Sequence, residues 1–300
     1  MDSRKAKISG GYLIYKPRGL TSRQVDNKIG KLLRTRRVGH IGTLDPLAEG
    51  LMPVLVGLAT RIAPFIDSGI KSYRAEITLG MSTDTDDAEG KVIERNPVNV
   101  SPTKIFEELK KFLGEIEQVP PRYSAKKIDG VPMYVSARRG EEVIAQPKKV
   151  TIYSIDNVEI GLPKVKFDIE CSTGTYLRSI ARDLGSRLGC GGHLSNLVRT
   201  RVGPHTIKNS VKFEDVITSI EQDEPEKYLL TENELLPHIP RVRAEGITIW
   251  KVSHGQIVPR LGSQFKPGQI FAIVNSRGEI LAIAEKISGG YKYKRVLIGK

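Results

Sequence analysis

With 300 residues, 39% of them hydrophobic, the chain can fill one large core and a smaller second one, which excludes a disordered or fibrous protein. Its 47 Lys and Arg against 34 Asp and Glu leave a net charge of +13. The charge is gathered at the ends: residues 1–40 hold 11 basic and 2 acidic side chains, residues 241–300 hold 11 and 3, and the middle is net negative. Solvated lysines need no such segregation, whereas a polyanion touching both terminal regions does, so nucleic acid is the expected partner. No apolar run approaches the length of a membrane span, and the opening MDSRKAKISGG lacks the apolar core of a secretory signal, so a cytoplasmic location is expected. Cys171 and Cys190 have no CxxC or histidine spacing around them and are expected as small core residues rather than metal ligands or a disulfide.

In chain order, GYLIY predicts a strand that ends in the KPRG turn. Thr21 and Ser22 supply an N-cap for a helix with Val25, Ile29, Leu32 and Leu33 inward, and that helix delivers Arg34, Arg36 and Arg37 into GHIGTLDPLAEG. Tyr73, Ala75, Ile77 and Leu79 alternate with polar residues as a half-buried strand does, and TDTDDAEG after them is a polar turn. Ser101 caps a helix through Ile105, Leu109 and Phe112 that Gly114 ends. Residues 120–146 mix Gly, Pro, Tyr and basic side chains without a period, the character of a long functional loop. Val165, Phe167, Ile169 and Cys171 predict another strand, and after STGT a helix buries Leu177, Ile180, Ala181, Leu184 and Leu188, closed by Gly189. A change of composition places a boundary near residue 240, and the glycine-separated pieces ITIW, FAIV, ILAIAEKI and YKYKRVLIG suit a small β-barrel.

The sequence carries no HExxH, GxSxG, GxxxxGK[ST] or strand-linked GxGxxG, so metal and nucleotide cofactors have no support. Asp45 stands out as a carboxylate on a glycine-bounded loop among apolar neighbours. By local sequence it is either a turn-former before Pro46 or a reagent, acting as nucleophile or base if a cation keeps it ionised in a dry pocket. Arg178, opening the helix after STGTY, is the candidate cation. Tyr73 by itself is an ordinary strand aromatic, and His40 an ordinary surface or packing histidine.

Together the segments YLIYKPRGLTS, GHIGTLDPLAEGLMPVLVGLATR, KSYRAEITLGMSTDTDDAEG, PPRYSAKKIDGVPMY and CSTGTYLRSIARDLGSRLGCGGHLSNLVRTRVG, in this order, resemble the bacterial TruB-type tRNA pseudouridine synthases over roughly residues 11–205. Ile41 fills the variable slot of GHxGTLDPLAxG. The resemblance implies an α+β catalytic domain on a mixed, largely antiparallel sheet over residues 1–240, with an RNA-gripping thumb loop at 120–146, and a PUA-like β-barrel at 241–300. It implies isomerisation of uridine-55 in the T-loop of tRNA, without metal or other cofactor, guide RNA or obligate protein partner, on a base taken out of its stack. The essential carboxylate maps onto Asp45, the stacking aromatic onto Tyr73 and its guanidinium onto Arg178. His40 would fill the space left by the extruded bases, and Lys16 and Pro17 would support the floor of the site. The expected RNA contacts are His40, Lys16, Arg36, Arg37, Tyr123, Lys126 and Lys127. A guide-directed relative, a catalytically silent RNA-binding protein and a nucleotide-binding metabolic enzyme are the alternatives. The last would need a phosphate loop, and the second would not need Asp45, Tyr73 and Arg178 together.

Overall fold

The computed structural model describes residues 8–66, 69–123, 127–128, 131–133, 139 and 146–297. Along the chain these form β1 (Gly10–Lys16), α1 (Ser22–Leu32), β2 (Val38–His40), β3 (Glu49–Val56), β4 (Ile70–Leu79), α2 (Pro102–Lys110) and β5 (Gly114–Gln118). There follow β6 (Lys148–Gly161), β7 (Lys164–Ser172), α3 (Leu177–Arg187), β8 (Gly192–Val202), β9 (Val211–Lys212) and α4 (Phe213–Glu221). The C-terminal part adds β10 (Arg241–Arg243), α5 (Ile247–Ser253), β11 (Ile270–Val274), β12 (Ile280–Ile287) and β13 (Gly290–Val296).

The large sheet runs β9-β1-β3-β8-β4-β7-β6-β5, with β2 added beside β3. Along this order only β9/β1 and β3/β8 pair in parallel, so the sheet is mixed and largely antiparallel. The predicted alternation holds: β4 buries Lys71, Tyr73, Ala75, Ile77 and Leu79, and β7 buries Val165, Phe167, Ile169 and Cys171. Against this face pack α1, α2, α3 and α4 through residues such as Val25, Ile105, Ile180 and Val216. The caps act as read from sequence, with Thr21 accepting from the Gln24 backbone in a full capping box and Ser101 accepting from Lys104.

β1 and β3 are buried on both sides because each divides its side chains between two cores. Tyr12, Ile14, Met52, Val54 and Val56 join the helices. Leu13, Leu51 and Leu55 face a second cluster that also takes Ile41, Leu235, Ala272, Val274, Ile283 and Leu297. The C-terminal segment, expected as a small β-barrel, is a four-stranded sheet in the order β10-β11-β12-β13, and no pairing among the described residues joins its outer strands. Phe271, Ile273, Ala282 and Tyr291 supply a third core on its other face.

Lys16, the last residue of β1, corrects one expectation. It is fully buried, and its ammonium donates to the carbonyls of Pro17 (2.8 Å) and Leu20 (2.6 Å), which leaves it no surface to meet an RNA phosphate. It ties the KPRG turn to the approach of α1. Burial lowers its pKa from 10.5 to about 8, against the upward pull of the Asp45, Glu89 and Glu49 carboxylates. Between these two pH values the unfolded chain holds a proton here that the folded chain has released, so the contribution of Lys16 to stability grows as pH rises. Relative to Lys16→Met, the parent should gain about 2–3 kcal/mol of unfolding free energy across that window. Denaturant melts of both proteins at the two ends of the window check this, and parallel pH dependences would mean that Lys16 is not desolvated.

Candidate active site

Asp45 sits on the connection between β2 and β3. Two glycines with left-handed backbone bound it, Gly42 at φ 68° and Gly50 at φ 100°, a conformation that side-chain-bearing residues rarely adopt. The turn is pinned from outside. The Ser22 hydroxyl at the head of α1 donates to the Leu44 carbonyl (2.9 Å) and accepts from the Leu44 amide (2.8 Å), and the Gly19 amide donates to the Pro46 carbonyl (2.8 Å). The carboxylate is therefore fixed by main-chain bonds on either side of it.

Arg178, the second residue of α3, approaches from the opposite wall, its Nε 2.9 Å from Asp45 Oδ2. The Nε–H is not directed at an acceptor, so the contact is an ion pair more than a shaped hydrogen bond. The rest of the guanidinium does not embrace the carboxylate as a planar fork would. Nη1 donates to the Thr85 carbonyl (3.3 Å) and lies 3.6 Å from Asp87 Oδ2, and Nη2 donates to the Tyr123 carbonyl (2.9 Å). Arg178 thus fastens three segments of chain around Asp45: the TDTDDAEG turn, the start of the 120–146 segment and the Asp45 loop.

Asp45, Tyr73 and Arg178 line one cavity of about 270 Å³, together with Lys71, Leu194 and Leu197. The Asp45 side chain is 39% exposed, toward that cavity, while protein surrounds it on its other sides. Burial raises its pKa, with the Asp87 carboxylate adding to the rise and the Arg178 and Lys16 cations opposing it. Tyr73 is buried in β4, paired in register with Ile169 of β7 and Arg199 of β8. Burial pushes its phenol up to about 12, and the Arg199 guanidinium acts in the other direction. The cavity can hold a planar ring against an aromatic face with one carboxylate at its edge, the arrangement for a carboxylate acting as nucleophile or base on a bound base or sugar.

His40 lies outside this cavity and is joined to its rim. Its Nδ1 is 2.8 Å from Asp26 Oδ2 and its Nε2 3.1 Å from Oγ1 of Thr43, a cavity residue. Arg36 and Arg37 are exposed, and Arg36 shares a second cavity of about 580 Å³ with Arg23 and Lys31 of α1 and Arg34 just after it. Tyr123 enters the site through its carbonyl, held by Arg178. Lys126 lies outside the described residues, as does the side chain of Lys127 and most of the 120–146 loop. Three groups at the site escaped sequence reasoning. Lys71 shares the inward parity of Tyr73 on β4 and could have been found from it. Asp87 was passed over in a segment read only as a polar turn, where it is buried and accepts from the Thr85 hydroxyl (2.6 Å). Arg199 gave no signal, since an arginine among polar neighbours on a strand reads as surface.

Comparison with known proteins gives the site a lineage. Residues 30–177 match the profile described as TruB family pseudouridylate synthase (N terminal domain), and residues 178–237 that of the tRNA pseudouridylate synthase B C-terminal domain. A tRNA pseudouridine synthase B of Geotalea uraniireducens is 39% identical over 255 residues, covering 85% of this chain and 82% of the relative. Its namesake in Clostridium tetani is 35% identical over 298 residues, covering 97% and 100%. Among solved structures, a Cbf5–Nop10–Gar1 complex superposes with a TM-score of 0.73 at 26% identity, over 96% of this chain and 85% of the other. An H/ACA ribonucleoprotein bound to a substrate RNA containing 2'-deoxyuridine shares the fold, with a TM-score of 0.73 at 24% identity over 97% and 85%. The chain belongs to the TruB family of pseudouridylate synthases.

Proposed function

We propose that this protein converts uridine to pseudouridine in tRNA, at uridine-55 of the T-loop, with Asp45 as the reacting carboxylate. The observation that carries the proposal is the meeting of Asp45, Tyr73 and Arg178 around one cavity, from three elements far apart in sequence. The reaction breaks the bond from uracil nitrogen-1 to ribose, turns the base and joins carbon-5 to the sugar. All atoms of the substrate are kept, so one carboxylate and a site that holds the free base suffice. Arg178 keeps Asp45 ionised against the desolvation that raises its pKa. Tyr73 stacks on the base and its phenol assists loss of the carbon-5 proton. His40, at the rim, fills the space vacated by the extruded bases, which offsets an unstacking cost of a few kcal/mol.

The basic ends and the 120–146 thumb segment supply the phosphate contacts, residues 1–240 act as the catalytic unit, and residues 241–300 act as a PUA-like domain on the acceptor side of the tRNA. The solved neighbour of 26% identity is a complex with other proteins. Here the stand-alone reading rests on the full-length likeness to tRNA pseudouridine synthase B chains.

The test is to incubate the protein with unmodified tRNA, without guide RNA, protein partner, metal or cofactor, and to map pseudouridine. Product at the T-loop is expected, and its absence would remove the proposal. Asp45→Asn keeps the shape of the side chain and should abolish product while leaving tRNA affinity within about threefold, because a carboxylate contributes little to phosphate binding. Turnover and filter binding measured side by side decide it, and an active variant would return Asp45 to the role of turn-former.

The C-terminal charge needs a gentle probe, since deleting residues 241–300 would strip Ala272, Val274, Ile283 and Leu297 from a core shared with β1 and β3. Neutralising the exposed Arg243, Arg260 and Lys266 to Gln spares that core. The slope of log affinity against log salt should then fall by about 0.7–0.9 for each phosphate no longer neutralised. An unchanged slope would mean that these charges do not face the RNA.

A further inference from the structure

Arg199 is the largest fully buried side chain among the described residues, with no exposed surface. Burying a guanidinium is costly unless its donors are satisfied and its position does something a hydrophobic residue could not. Its Nε donates to the Leu51 carbonyl (2.8 Å), Nη1 to the Gly42 carbonyl (2.8 Å) and Nη2 to the Ile41 carbonyl (3.3 Å). These acceptors lie at the two ends of the Asp45 loop, two before the turn and one just after it. One guanidinium therefore staples the loop shut across its base.

The glycines of the motif lie against the same residue, Gly50 against its backbone and Gly42 against its side chain. A Cβ on Gly50 would stand 2.5 Å from the Arg199 carbonyl oxygen, and a Cβ on Gly42 would stand 3.1 Å from Arg199 Nη1 and 2.8 Å from Lys71 Nζ. Gly50 thus needs glycine for the closeness of the Arg199 backbone as well as for its positive φ, and Gly42 needs it for its positive φ beside a crowded Lys71 and Arg199. In the sheet Arg199 is also the direct partner of Tyr73 across the β8/β4 ladder, so the two side chains share a face, and the guanidinium charge opposes the rise that burial imposes on the phenol's pKa.

We infer that Arg199 is a positioning residue of the isomerisation, holding the Asp45 loop by both ends and the Tyr73 phenol in one arrangement, so that carboxylate and ring keep a fixed separation across the cavity. Arg178 supplies charge to Asp45 from the far wall, and Arg199 sets where Asp45 and Tyr73 stand relative to each other. The inference rests on the isomerase reading above. A parent protein that makes no pseudouridine would defeat that reading, whereas the comparisons below concern only Arg199.

Two substitutions separate its duties. Arg199→Lys keeps the charge and loses the three-carbonyl staple, and Arg199→Gln keeps two donors and loses the charge. With circular dichroism showing an intact fold, each should lower the single-turnover rate of pseudouridine formation by about 100-fold, with tRNA affinity changed less than about threefold. A general structural defect would give the same loss in any background. Positioning through Tyr73 does not: in a Tyr73→Phe background the Arg199→Lys penalty should shrink by about tenfold or more, a coupling of the size that contacting residues show. If either variant fails to fold, the contact is read from the other side. In folded Tyr73→Phe protein the Arg199 guanidinium resonances should shift, and in the parent the Tyr73 Cζ resonance should mark a phenol held by a cation. Equal penalties in the two backgrounds, a wild-type rate in Arg199→Lys, or guanidinium resonances unmoved by Tyr73→Phe would each overturn the inference.

Discussion

Everything at the site answers to the difficulty of keeping one carboxylate ionised away from bulk water. Asp45 faces a cavity with apolar walls, and burial favours its neutral form. The nearest compensation is the Arg178 Nε at 2.9 Å, but a single ion-pair contact would be loose on its own. The protein secures it indirectly. Arg178 uses its other donors on the Thr85 and Tyr123 carbonyls, which fixes the guanidinium, and Asp45 is fixed by the Ser22 hydroxyl and the glycine-bounded turn. Two charges meet because the main chain on each side cannot move, and such preorganisation is what allows an electrostatic contact to count in a desolvated site.

The sheet order explains why this needs so much of the chain. Asp45 comes from a loop leading into β3, Tyr73 from β4, and Arg178 from a helix between β7 and β8. β8 lies between β3 and β4 in space although it comes after both in sequence. A residue on that late strand can reach the Asp45 loop on one side and Tyr73 on the other, the position Arg199 holds. The geometry of the site is thereby tied to completion of the central sheet.

How much of this was legible in sequence depended on whether a segment obeys one local rule. α1 and α2 announced themselves by a cap followed by a one-sided apolar stripe, and β4 and β7 by alternation, because each buries a single face. β3 and β8 did not. LMPVLV has no alternation because the strand is buried on both faces, and β8 interrupts its pattern with His193 and Arg199, polar residues that are buried inside the protein. The site divided along the same line. Asp45, Tyr73 and Arg178 were singled out through motifs and the structure brings them to one cavity, while Lys16, expected among the RNA contacts, is buried and Arg199 and Asp87 were passed over, since sequence alone says nothing about which charged groups a fold has enclosed. The role of the carboxylate as nucleophile or as base was left open by the residues, and the cavity admits both.

The second core has a bearing on how the molecule comes apart. Leu13, Leu51 and Leu55, on the back of the strands that bear the site, and Ile41, beside the first glycine of the Asp45 turn, share their apolar contacts with Ala272, Val274, Ile283 and Leu297 of the C-terminal sheet. Neither part can lose its partner without wetting the other, so their free energies of unfolding are linked and detachment of the C-terminal sheet is a cooperative event rather than a hinge opening. An RNA contact on that sheet would therefore stabilise, by mass action, the same packing that backs the Asp45 loop.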